Sequence, residues 1–373
     1  VKLSSGLEKF AESYCSSQIK FKYFIKILKF TVLISTKNLI MNNKQSKGTV
    51  SRRRFIGTTA IATTAMAFSP LSYGNSFLAK SKPDSNFNGV QIGAITYSWR
   101  SMPSNAQNIL NYCIEAGISS IELMGNVAEE YAGIPSMPAR PPRGVQLSEE
   151  DRNEYRKKAE IAAVKQREWR LSASMKKFRN LHKMYKKAGV NIHIVKFSPA
   201  RWSDEEIDYA FKAAKTLGAK GVSNEIGHDA CQRLGEFAEK HNMYAVFHNH
   251  LQPGDPDFNF DEFLAYSPNN MLNFDVGHYF GATGKHPNEL IERLHDRIFS
   301  IHLKDKTGKN ADPANTNMPW GKGDTPIADI LRLIRDEKWP IYGDIELEYS
   351  VPEDSNAQDE IIKCVNYCKD ILV

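Results

Sequence analysis

The stretch AVFHNHLQPG, residues 245–254, carries an apolar run into two histidines one residue apart, His248 and His250, and then into a Pro-Gly turn signal. A single histidine in that position is more often a satisfied core residue. Here the ending recurs along the chain. Side chains of a strand alternate between two faces, so Ser223 aligns with Glu225, and Val246 with His248 and His250. Asn273 aligns with Asp275, Ser300 with His302 and Lys304, and Asp344 with Glu346 and Glu348. Successive runs therefore converge on Glu225, His248, Asp275, His302 and Glu346. Carboxylates that share a buried mouth repel one another and lose their hydration. A divalent cation resolves both problems, and two or three carboxylates with one or two imidazoles suit Mn²⁺, Co²⁺ or Zn²⁺. These five residues are the candidate metal ligands.

Positioning them requires elements whose ends meet. From Gly89 onward, short β-rich apolar runs alternate with charged stretches of helical pattern. The candidate strands span 90–99, 119–125, 190–199, 219–227, 243–250, 271–279, 298–306 and 341–349. Between them lie segments such as SDEEIDYAFKAAKTLG, where Ser203 with Glu206 forms a capping box and Gly218 is a stop signal. Eight strands alternating with helices predict an α/β fold, the (β/α)8 TIM barrel, whose active sites form at the C-terminal edge of the strands. A doubly wound sheet would carry a Gly-rich phosphate turn after its first strand, and none is present. Residues 126–170 form an insertion after the second strand, expected over the barrel mouth.

FHNH, NFDVGHYFGATGKHP, DRIFSIHLKDK and IELEY follow one another in an order that resembles the xylose isomerase-like TIM barrel family. That family groups sugar phosphate isomerases and epimerases with endonuclease IV and the inosose dehydratases. The resemblance covers Val90 to Leu372, and its specific parts are DxGH at Asp275–His278, HLKD at His302–Asp305, and WGKGDTPI at 320–327. It implies that Asp275, His302 and Glu346 hold the metal. Epimerases of this type have Glu as the first ligand, on the fifth strand; this chain has His248. Either His248 ligates or Glu225 reaches across from the fourth strand.

In such a site a divalent metal binds a carbonyl and an adjacent hydroxyl oxygen of a sugar. It stabilises the enediolate formed when a base removes the α-proton. Return of the proton on the other face is epimerisation, and transfer to the neighbouring carbon is isomerisation. Loss of a β-substituent is dehydration or glycoside lysis. Glu346 is the candidate base, with His248 and His278 acting on the substrate and Lys304 or Lys196 stabilising an oxyanion. His250, Glu122 and Trp99 are expected to contact or support the substrate, Trp169 to offer a ring face, and Glu348 to support Glu346. The expectation is a metal-dependent sugar isomerase or epimerase. The alternative is a lyase or dehydratase acting on a keto-sugar, a 3-keto-glycoside or an inosose, which the His248 departure favours.

Charge separates the chain into two parts. The net charge is +6, but residues 1–54 alone carry +10, leaving −4 for the remainder. The body therefore has no electrostatic footprint for nucleic acid, which argues against phosphodiester hydrolysis. SRRRFIG from Ser51, then TTAIATTAMAF, then small residues near Ala67 and Gly74 read as a signal peptide of the twin-arginine type. Residues 41–74 are thus expected to direct export to the periplasm through the twin-arginine machinery, with 75–87 a linker and 88–373 the catalytic barrel. Residues 1–40 read as a non-native extension. Their apolar stretch is broken by lysines too often to anchor the chain in a membrane. Five cysteines show no disulfide framework. The partner expected is a small carbohydrate; a homo-oligomer stays open.

Overall fold

The computed structural model describes residues 82–139, 141 and 146–373. The expected extension, the signal segment and the linker up to residue 81 lie outside the described residues. Eight strands run parallel: β1 (Val90–Ile95), β2 (Ser120–Met124), β3 (Asn191–Lys196), β4 (Gly221–Glu225), β5 (Tyr244–His248), β6 (Asn270–Asp275), β7 (Ile298–Leu303) and β8 (Tyr342–Ile345). Each pairs with the next, and β8 pairs with β1, so the sheet closes into the expected TIM barrel. Four described cysteines, Cys113, Cys231, Cys364 and Cys368, are buried free thiols.

The alternation that the sequence predicts sorts the side chains. On the outer faces, Ile121, Leu123, Val222, Phe247, Leu272, Phe274, Ile301 and Leu303 are fully buried. Phe274 packs edge-on against Phe260 and Tyr279 of the neighbouring helices. The opposite faces carry a polar interior: Glu122, His193, Ser223, Asn273, Ser300, His302 and Asp344, all buried. Such a centre is tolerated because its groups bond one another. The capping box appears as predicted, with Glu206 N donating to Ser203 Oγ and Ser203 N to Glu206 Oε2. Gly218 follows that helix in the left-handed region, at φ +86°.

Several strands are shorter than expected. β1 stops at Ile95, and Thr96–Trp99 form a 3₁₀ turn. There Ser98 Oγ donates to Ile345 O and accepts from Leu347 N, stitching the first strand to the last. β5 stops at His248, β6 at Asp275 and β8 at Ile345. Upstream, Ser85 is buried with its Oγ donating to Ile92 O at 2.6 Å, and Asn86–Phe87 pair antiparallel with Val90–Gln91. The end of the expected linker thus belongs to the barrel's N-terminal rim.

The insertion forms helices Gly125–Ala132 and Glu149–Ser172. Its anchor is Arg170, which donates to both Glu129 oxygens at 2.7 and 3.1 Å and to Glu206 at 3.2 Å, and lies over the Trp202 ring. Trp169 sits edge-on to Tyr209, as part of this clamp.

Candidate active site

The site is assembled from strand ends. Register places Glu225 beside His248, His248 beside Asn273, and Asp275 beside His302, which in turn pairs with Asp344. Glu346 follows β8 directly. Its N–H donates to Leu303 O, which holds it against the end of β7. One ligand atom from each of His248, Asp275, His302 and Glu346 lies within 4.8 Å of the others, and all four residues are buried.

His302 is the hub. Its Nε2 lies 2.6 Å from Glu122 Oε2 and its Nδ1 lies 2.8 Å from Glu346 Oε2. Glu122 is fixed in turn by Ser223 Oγ at 2.5 Å and Asn273 Nδ2 at 2.8 Å. Burial alone would lower the pKa of the imidazole, but Glu346 and Glu122 raise it well above its ordinary value. Burial likewise opposes ionisation of Glu346, and Lys304 and His302 overcome it, holding that carboxyl well below the usual range. Asp275 keeps a raised pKa, since burial and Glu346 outweigh Lys304.

Lys304 enters from just beyond β7. Its Nζ lies 2.8 Å from Asp275 Oδ2, 2.7 Å from Glu346 Oε2 and 2.8 Å from Glu348 Oε2. Gly277 makes room for its stem: a Cβ there would collide with Lys304 Cγ and lie 2.7 Å from Lys304 O. That close approach is the reason for glycine in DVGH. Asp275 has a second task, because its Oδ1 accepts from His278 N at 2.7 Å and caps helix Val276–Thr283. Asn249 brackets Asp275 by accepting from its N–H and donating to its carbonyl.

Three imidazoles form the rest of the wall. His248, His250 and His278 also bring one nitrogen each within 4.8 Å of the others. Burial, then Lys196 and His302, push His248 well below its usual value; burial, then Lys304 and Lys306, push His278 down to about 3. Both are neutral, and the buried Nδ1 of each has no hydrogen-bond partner among the described residues.

Other candidates are placed elsewhere. Glu225 falls outside the four-residue cluster; its carboxylate pairs with Lys196 Nζ and His250 Nε2, each at 2.8 Å. Lys196 therefore meets an anion and is committed as an ion pair. Glu122 is fully buried and bound to His302, which replaces the expected contact with substrate by a role in orienting an imidazole. Trp99 is core: it is fully buried, donates from Nε1 to Gln358 Oε1 and stacks on Tyr112. The alignment of polar residues on interior faces could have marked Asn273 and Ser300, which complete the network around His302. Asp305 of HLKD is a loop anchor. Its carboxylate accepts from the N–H groups of Gly321, Gly323 and Thr325, which fixes the WGKGDTP turn.

With that geometry in place, the chain can be compared with known proteins. Residues 225–366 match the model of the family described as xylose isomerase-like TIM barrel. The matched segment holds three of the four clustered strand ends, at His248, Asp275 and His302, and Glu346 beyond the fourth. No curated protein matches the sequence.

Among solved structures, a probable 3-DHS dehydratase, AsbF, from Bacillus anthracis is 16% identical. The match covers 74% of this chain and 98% of that one, with TM-score 0.50. A sugar phosphate isomerase/epimerase from Parabacteroides distasonis is also 16% identical, over 79% of this chain and 97% of that one, at TM-score 0.50. A xylose isomerase domain protein from Alicyclobacillus acidocaldarius is 12% identical, over 76% and 99%, at TM-score 0.51. At these identities the likeness is one of fold.

The donor set fits a divalent cation. Four carboxylates, Glu122, Asp275, Glu346 and Glu348, gather around His302 and Lys304, and Lys304 is the one lysine bonded to them among the described residues, an excess of acidic groups in a largely buried place. Two neutral imidazoles stand beside it with unpartnered nitrogens. Glu122 on Nε2 leaves His302 Nδ1 facing the cluster, the arrangement in which a carboxylate orients a ligating histidine.

Proposed function

We propose that this barrel is a metal-dependent enzyme of the sugar isomerase and epimerase kind, acting by removal of a proton α to a carbonyl. The observation that carries the reading is the buried cluster of His248, Asp275, His302 and Glu346 at the C-terminal edge of the strands, where barrel enzymes do their chemistry. These four residues would hold the ion, which supplies positive charge to the substrate's carbonyl oxygen.

The chain's own groups do the remaining work. Glu346 is the base. Its Oε2 is tied to His302 and Lys304, while Oε1 carries no hydrogen bond among the described residues and is free to take a proton. His278 and His248, held neutral, can donate or accept at substrate hydroxyls. Glu225 with Lys196 fixes His250 at the rim, where the residue is half exposed and can reach the substrate.

A second reading has support in one residue. Opposite Glu346 stands a neutral imidazole, His248, where two-face proton transfer would use a second carboxylate. Elimination of a β-substituent from a keto-sugar, a 3-keto-glycoside or an inosose needs only one base and a proton donor to the leaving group. Incubation of the metal-loaded protein with keto-sugars and 3-keto-glycosides in D₂O separates the two. Deuterium incorporation with carbon skeleton intact supports isomerase chemistry, and release of water or an aglycone supports a lyase. Neither outcome across the panel would sink both.

Export to the periplasm through the twin-arginine route, and cleavage near Ala67 or Gly74, belong to this proposal on sequence grounds alone. The pattern is consistent with a neutral glycan-derived substrate rather than a sugar phosphate.

A further inference from the structure

We infer that the Lys304 ammonium is a resident cation of the ligand cradle, holding the place that a divalent ion takes from it. This rests on the metal reading above and adds a rule for how the site fills.

The argument is geometric. Lys304 Nζ touches two of the four candidate ligand side chains, and it does so through Asp275 Oδ2 at 2.8 Å and Glu346 Oε2 at 2.7 Å. Glu346 Oε2 is also the atom bound to His302 Nδ1, so the ammonium sits on the oxygen that faces the rest of the cluster. A divalent ion on these oxygens and an ammonium on the same oxygens would be like charges at close range in a buried site, a costly arrangement. One must yield.

The structure provides the exit. The third partner, Glu348 Oε2 at 2.8 Å, is outside the four-residue ligand cluster and has a side chain 23% exposed, against 0% for Asp275 and 6% for Glu346. The ammonium can keep Glu348 and release the other two. The stem runs over Gly277, where no side chain obstructs a shift. Without Lys304, three carboxylates would face one another around an empty centre, so the lysine also explains how the cradle stays assembled before an ion arrives.

Two measurements on the full chain test this. Mn²⁺ titration calorimetry on metal-stripped wild type and Lys304→Met should show the variant binding at least tenfold tighter, because no ammonium has to be displaced. Crystals of the wild type soaked in Mn²⁺ should show Nζ still within hydrogen-bond reach of Glu348 and withdrawn from Asp275 and Glu346. Equal or weaker binding by Lys304→Met overturns the inference and leaves the metal reading standing, as does an ion bound with Nζ in its present place. Absence of Mn²⁺ binding in both proteins overturns the inference and the metal reading together. If Lys304→Met fails to fold, the soaked crystal alone decides.

Discussion

His302 Nε2 stands 2.6 Å from Glu122 Oε2, and both side chains are completely buried. The two residues come from strands three places apart round the barrel, β7 and β2, so this contact crosses the interior. It orders the imidazole whose other nitrogen reaches Glu346. Glu122→Ala would leave the His302 imidazole facing one carboxylate fewer, with Ser223 Oγ deprived of its acceptor and Asn273 Nδ2 of one of its contacts. The expected loss of stability is about 3–5 kcal/mol, the usual cost of removing one partner of a buried ion pair. Chemical denaturation checks it, and a cost under about 1 kcal/mol would show that the contact is incidental.

Asp275→Asn separates two tasks of one side chain. The amide keeps an Oδ1 to accept from His278 N, so the cap on helix Val276–Thr283 survives. The second oxygen, which faces Lys304, is lost as an anion. Folding by circular dichroism should therefore stay close to wild type. Metal affinity should fall by at least about a hundredfold, more than the loss of an outer partner costs. Retention of full metal content by elemental analysis would remove Asp275 from the ligand set.

Much of this was legible because strand alternation is a strict period of two. Once FHNH, NFD and SIH are read as strand ends, the inward face of each is forced, and Asp275, His302 and Glu346 converge without further assumption. What alternation could not provide is where each strand stops. Trp99 and His250 were aligned as if β1 and β5 continued, but β1 is ended by the Ser98 stitch to the last strand, and β5 ends at His248. Nor could it show which polar residues answer one another. Glu225 and Lys196 each look like site residues alone, yet they are adjacent strand ends that neutralise each other. Glu122 lies in mid-strand, so its carboxylate meets the interior rather than the mouth. Those outcomes depend on pairs separated by tens of residues, and a single chain read in order does not display them.

The rim pair of Glu225 and His250 gives a pH signature. Burial opposes ionisation of Glu225, but the His250 hydrogen bond and Lys196 hold its pKa down to about 2, against 4.5 when unperturbed. Its contribution to stability is present above 4.5 and fades as pH falls towards about 2. The bond to Glu225 raises His250 above 6.5 despite partial burial. That contribution is present below 6.5 and is lost as pH rises through the elevated folded value. Thermal melting across pH should show Glu225→Gln losing most, relative to wild type, between about 4.5 and 6.5, where both partners are charged. Parallel profiles for the two proteins would mean that the pair does not couple to folding.

Gly93 tests the far end of the barrel. It lies on the inward face of β1, in register with Asp344 of β8. A Cβ there would collide with Asp344 Oδ1 and come within 2.9 Å of Ser120 O. Neither neighbour can retreat easily. Asp344 Oδ2 is held by His193 Nε2 at 2.8 Å, His193 Nδ1 by Ser120 Oγ at 2.9 Å, and the imidazole is stacked on Tyr342 at 4.2 Å between centroids. Gly93→Ala should therefore cost about 3 kcal/mol, the upper end for an overpacked core. The disturbance falls on the buried Ser120, His193 and Asp344, none of which is in the metal cluster. Metal stoichiometry of the folded fraction should stay at the wild-type value while the denaturation midpoint drops. A variant that keeps its midpoint would show that the barrel's N-terminal end yields more readily than its hydrogen bonds imply.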